Sequence, residues 1–270
     1  MLLTLTLARS GTTLLTSAFR ATWGDEVRVE HEPLRHDGRL RHLFRCFDTE
    51  RQEFALADPV IGGLVRSVVE SAERHPVLIF GNTISHLAPV FHRVLGARLR
   101  LLHLHRNPLA NAASTCVMTR PEWWTNIPKF EDDPLGIRIT PFDPHARFVE
   151  YRNWWSWLSL FEMVLYQWLE RHAFAREIAV RMPEIPFISL PSGDLFRDPK
   201  GTMRMVARFA GIESGRSPLV RQARRNQTWS RSLEQRPLGD AWRAMRRIPP
   251  SFSWRKSWGT TWIPCDWSGR

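Results

Sequence analysis

Leu2-Leu3-Thr4-Leu5-Thr6-Leu7-Ala8-Arg9-Ser10-Gly11-Thr12-Thr13-Leu14-Leu15-Thr16-Ser17-Ala18-Phe19 is the stretch that decides the fold class. Leu2 to Leu7 is apolar and partly alternating, as a buried strand is, and Leu14 onward has helical character. The glycine between them marks a tight turn, so the order is strand, turn, helix. The leucines resemble a secretory leader only superficially, because no basic residue precedes them, two threonines interrupt them and Arg9 follows directly.

The same alternation continues along the chain. Val77 to Phe80 predicts a second strand, followed by a helix from about Ile84 or Leu87 to Leu95 that Gly96 ends. Leu99 to His105 predicts a third strand, and Pro108 stands where the next helix begins. Phe187 to Leu190 predicts another strand, with Asp198-Pro199 opening a helix that runs to Gly211. Strands alternating with helices imply an α/β fold: a single domain over residues 1–270, with a central parallel sheet flanked by helices on both faces. Trp154, Trp157, Leu158, Phe161, Leu165, Trp168 and Leu169 recur at helical spacing and predict the core face of one long helix, with no binding role. The Pro, Asp and Gly content of residues 120–147 predicts a long loop that serves as a lid or acceptor-binding segment. Residues 216–270 form a basic segment rich in Arg, Ser and Trp with weak periodicity.

With 270 residues, 43% of them hydrophobic, the chain can bury one full core. Its net charge of +11 calls for an anionic partner. The arginines are dispersed rather than striped with aromatics, which argues against nucleic acid and leaves a polyanionic cofactor, an acidic acceptor or peripheral contact with an anionic membrane. No stretch is apolar for long enough to span a membrane. Cys46, Cys116 and Cys265 have neither disulfide nor metal-ligand spacing, so a reducing, cytoplasmic location is expected and no metal.

A strand that ends in a glycine turn before a helix aims backbone N–H groups at one spot, where the helix dipole adds positive potential. Gly11 lets an anion approach, the hydroxyls of Ser10, Thr12 and Thr13 can donate to it, and Arg9 supplies charge. Alone, the hexapeptide fits equally a Ser/Thr cap on an ordinary helix. It lacks the Gly-Lys-Ser/Thr of a Walker A loop, and no dinucleotide fingerprint is present. A second element is Arg106-Asn107-Pro108 with Ser114: Arg106 falls at the carboxyl end of a strand and Ser114 on the second turn of the following helix, where α/β ligands bind.

The two motifs in this order resemble the sulfotransferases that use 3′-phosphoadenosine 5′-phosphosulfate (PAPS), a family with a P-loop-NTPase-like architecture. In that family Lys/Arg-Ser-Gly-Thr-Thr holds the 5′-phosphosulfate, matched here by Arg9 to Thr13. Arg-Asp/Asn-Pro followed by Ser holds the 3′-phosphate, matched by Arg106, Asn107, Pro108 and Ser114. Asp194-Leu195, Asp198-Pro199 and Phe209-Ala210-Gly211 are similar to further landmarks of the family. Ser192-Gly193 replaces the usual Tyr-Glu, and Asn82-Thr83 stands where many members carry Lys-Thr, which places more of the charge stabilisation on Arg9. Arg255-Lys256, in a displaced version of the family's Arg-Lys-Gly loop, is a further candidate for the 3′-phosphate.

The resemblance implies sulfuryl transfer from PAPS to an acceptor hydroxyl. Glu32, in a Glu-Pro pair like that of carbohydrate sulfotransferases, is the first candidate base and points to a carbohydrate or glycolipid acceptor. His86 is the second; it is similar to the histidine of a Lys-Thr-His segment but lies two residues further on. His103 and His105, on a buried strand, are expected to be core histidines. Two alternatives stand beside this reading: a sulfotransferase-like fold that binds nucleotide or glycan without turnover, and a P-loop kinase.

Overall fold

The computed structural model describes residues 1–34, 39–118, 138–212 and 215–219. Five strands make one sheet: β1 (Leu2–Thr6), β2 (Arg28–His31), β3 (Val77–Phe80), β4 (Arg100–His105) and β5 (Phe187–Pro191). They lie in the order β2-β3-β1-β4-β5, and every pairing is parallel. Nine α-helices occur among the described residues: α1 (Thr12–Trp23), α2 (Arg39–His42), α3 (Thr49–Ala57), α4 (Ile61–Ala72), α5 (Ala88–Leu95), α6 (Pro108–Met118), α7 (Leu160–Arg181), α8 (Ser192–Arg197) and α9 (Pro199–Ala210). The α/β domain with its central parallel sheet is as the alternation implied.

Alternate residues along each inner strand serve opposite layers, which is why these strands read as continuous apolar runs. Leu2, Leu78, Phe80, Leu102 and Leu104 pack against Leu15, Phe19 and Trp23 of α1 and Met203 and Val206 of α9. Leu3, Leu5, Val77, Ile79 and Leu101 face the other way, onto Val65 of α4, Phe91 of α5 and Phe174 and Ile178 of α7. The threonines of β1 are buried with their hydroxyls satisfied: Thr6 donates to the Leu104 carbonyl at 2.6 Å, and Thr4 accepts from the Gly81 N–H at 2.9 Å. They thereby tie the central strand to both neighbours.

β2, α3 and α4 lie outside the elements read from the sequence. β2 is an edge strand in which Val29 alone is buried, so Arg-Val-Glu-His carries almost no apolar signal. One expectation is overturned. Trp154 and Trp157 do not extend the core face of the long helix but stand 58% and 80% exposed, on short 3-10 turns. Ser159 is the reason. It caps α7 reciprocally with Glu162, so the helix begins at Leu160, and only from Val164 onward are apolar side chains fully buried.

Residues 138–147, the described part of the anticipated 120–147 loop, are pinned to the domain. Asp143 pairs with Arg41 at 2.5 Å, and the Arg147 and Phe148 N–H groups donate to the buried Glu170 carboxylate. Residues 119–137, Trp123-Trp124 among them, lie outside the described residues, as do Arg255 and Lys256. No helix among the described residues is long and apolar enough to cross a membrane.

Candidate functional site

In this strand order the chain leaves β1 towards β2 on one flank and later crosses to β4 on the other. The crevice above the carboxyl end of β1, where α/β sheets hold ligands, is therefore occupied by the turn from Ala8 to Thr13. Gly11 is the N-cap of α1, in the left-handed region with φ 107°, and no side chain caps that helix. The Ser/Thr-cap reading of the hexapeptide thus drops out, and the first-turn N–H groups of α1 have no side-chain acceptor among the described residues. Arg9 is also left-handed, at φ 68°. Ser10 and Thr12 are buried, whereas Thr13 is exposed.

Three successive carbonyls of this turn are each held by a side chain from elsewhere. Asn111 Nδ2 donates to the Ala8 carbonyl at 2.8 Å, Arg106 Nη1 to Arg9 at 3.0 Å, and Ser192 Oγ to Ser10 at 2.5 Å. With its carbonyls engaged, the turn is fixed without using its amides. A Cβ at Gly11 would stand 2.8 Å from Leu195 Cδ2 and that side chain would have to shift, so α8 roofs the turn. The close approach that glycine permits is therefore first of all that of Leu195. Asn111 and Ser192 were not anticipated as site residues. The helical spacing of Asn111 from Asn107, which caps α6 through Leu109 and Ala110, was the available signal.

The two separated motifs converge here. Arg9 Nε donates to Ser114 Oγ at 3.2 Å, and Arg106 reaches back to the Arg9 carbonyl. Trp168 holds Arg106 in turn, its Nε1 donating to the Arg106 carbonyl at 2.9 Å. Burial lowers the pKa of Arg9, and burial together with the Arg9 charge lowers that of Arg106. Both stay cationic at neutral pH. Two guanidiniums placed beside uncapped amides, with no carboxylate partner among the described residues, form a concentration of positive potential that an oxyanion can neutralise.

Glu32 lies at the same sheet edge, just past β2, and is again left-handed at φ 48°. Both its carboxylate oxygens accept from the Asn82 N–H at 3.0 Å. Gly81 makes room for it, since a Cβ there would come within 3.0 Å of Oε2. His86 is wholly buried, its ring centroid 5.0 Å from that of Phe44 and tilted 58° to it. Its Nδ1 lies 2.7 Å from the Leu40 carbonyl, which can only accept, so the proton is on Nδ1. Burial, and then the Arg171 charge, hold this imidazole neutral. His103 is a satisfied core histidine, between Ser189 at 3.1 Å and His172 at 2.6 Å, with its pKa pushed down to about 3 by burial. His105 is half-buried beside it.

A groove of about 660 Å³ lined by Arg20, Thr22, Asp25, Arg28 and Arg216 shares no residue with the turn, and Arg216 is already paired there with Asp25. No protein-family model matches the chain, and no curated protein is significantly similar to it.

Proposed function

We propose that the protein transfers the sulfuryl group of PAPS to a hydroxyl of a carbohydrate or glycolipid. The observation that carries this reading is the meeting of Arg9, Arg106 and Ser114 at one uncapped helix start, although 97 and 105 residues separate the partners in sequence. A donor phosphorylated at two ends suits such a site. Arg9 and the amides of Gly11 to Thr13 would face the 5′-phosphosulfate, and Arg106 with Ser114 the 3′-phosphate.

Sulfuryl transfer resembles phosphoryl transfer in its demands: in-line attack, a loose transition state and charge gathering on the leaving phosphate oxygen. Pre-oriented amides and Arg9 meet that charge as the sulfur–oxygen bond breaks. The acceptor oxygen bonds to sulfur and gives its proton to Glu32. A carboxylate has about four lone-pair sites, so the bonds from Asn82 leave capacity for that proton. Glu32 ranks above His86, which has no exposed surface. The exposed faces of Trp154 and Trp157, three residues apart on 3-10 turns, suit stacking on a sugar.

The test combines calorimetric binding of 3′-phosphoadenosine 5′-phosphate with transfer from labelled PAPS to a panel of sugars, glycolipids and phenols. Arg9→Ala and Arg106→Ala are each expected to weaken binding about tenfold, the scale of one charge-assisted hydrogen bond. Glu32→Gln is expected to keep binding and abolish transfer. Tight binding with no product from any acceptor would instead support a binding protein without turnover. Magnesium-dependent ATP binding that survives Arg9→Ala would support a kinase.

A further inference from the structure

Arg171 projects from α7 into the interior and is 5% exposed. Its Nη1 donates to the Asn82 carbonyl at 2.9 Å and to Ser85 Oγ at 3.0 Å, while Ser85 itself donates to the Asn82 carbonyl at 2.5 Å. On its other side, the Asn82 N–H donates to both oxygens of Glu32. Asn82 is thus a backbone bridge with a buried guanidinium on its carbonyl and a carboxylate on its amide. We infer that Arg171 is a positioning residue for Glu32: it fixes the Asn82 peptide, and through that peptide the direction in which the carboxylate points.

Two further observations support this. Glu32 sits in the left-handed region, a conformation that costs a residue with a Cβ free energy and persists only where its surroundings hold it. Arg171 and Glu32 also attract each other directly, and Arg171 repels a proton from His86. One cation behind the Asn82 turn thereby holds Glu32 by direct attraction as well as through the peptide, and keeps the buried imidazole neutral. The position where relatives by resemblance carry a lysine side chain is used here for its backbone, with the charge supplied from α7.

Glu32 as base rests on the proposed transfer, but its fixation by Arg171 does not, so the experiment reads both. Amide hydrogen exchange at Asn82 reports the bond to Glu32 whether or not the protein turns over. Arg171→Met is expected to speed that exchange about tenfold, as is Glu32→Ala, which removes the acceptor, and Arg171→Lys to lie between it and wild type. Should Arg171→Met fail to fold, Ser85→Ala removes part of the clamp while leaving the cation, and is expected to speed exchange severalfold. In the transfer assay Arg171→Met should lower kcat at least tenfold with KM for the donor little changed, and Arg171→Lys should restore part of the loss. Asn82 exchange that stays at the wild-type rate in folded Arg171→Lys and Ser85→Ala proteins would overturn the positioning role. Accelerated exchange in a protein that transfers no sulfuryl group would keep the clamp and reject the base.

Discussion

Gly11 answers to two constraints at once. Its φ of 107° is one that side chains rarely adopt, and Leu195 occupies the place of its missing Cβ. Gly11→Ala is therefore expected to destabilise the fold by about 2 kcal/mol, within the range for a strained left-handed residue, as read from chemical denaturation. Adding Leu195→Ala should relieve the clash but not the backbone cost, so a double mutant no more stable than the Leu195 and Gly11 losses summed would show that the contact contributes nothing. Residue identity here was legible from the strand-turn-helix pattern. Its neighbour was not, because Leu195 comes 184 positions later and no local pattern connects the two. The same holds for Ser192, which seemed only a departure from a Tyr-Glu landmark yet holds the Ser10 carbonyl.

Helices are where local rules can mislead about function. A periodic run of tryptophans and leucines continued through Ser159 by spacing alone, but the reciprocal Ser159–Glu162 cap starts α7 there and turns Trp154 and Trp157 outward. Ser159→Ala is expected to cost about 1 kcal/mol, the usual value of an N-cap, in thermal or denaturant unfolding. Asp198, read as the opening of a helix, indeed caps α9 by accepting from the Gly201 N–H at 2.9 Å, and Gly211 ends that helix left-handed at φ 79°. Such caps were readable because they depend on residues within one turn. β2 was not, since an edge strand needs neighbours rather than a pattern of its own.

Across the whole molecule, His86, His103 and His172 are buried and held neutral chiefly by desolvation. Their folded pKa values lie below the ordinary 6.5, so the unfolded chain binds more protons as pH falls through that value. Their contribution is therefore intact above about pH 6.5 and is lost progressively below it, down to about 3 for His103. Each histidine gives a slope approaching about 1.4 kcal/mol per pH unit. Glu170, whose pKa burial raises, works the other way but is one group against three. Unfolding free energy measured by denaturant is expected to drop by roughly 2 kcal/mol or more between pH 7 and 5. A flat profile would show that these histidines are hydrated in solution.

The alternation that makes the sheet parallel, the turn at Arg9 to Thr13 and the ends of α5 and α9 were legible in the chain's own pattern, because hydrophobic spacing and caps act over a few residues. That Arg9, Arg106 and Ser114 meet, that Ser192 and Asn111 anchor the turn, and that Arg171 stands behind Glu32 required the tertiary structure. Strand order decides these, bringing the carboxyl ends of β1, β3 and β4 to one edge, and that order is set by which faces bury together over the whole domain.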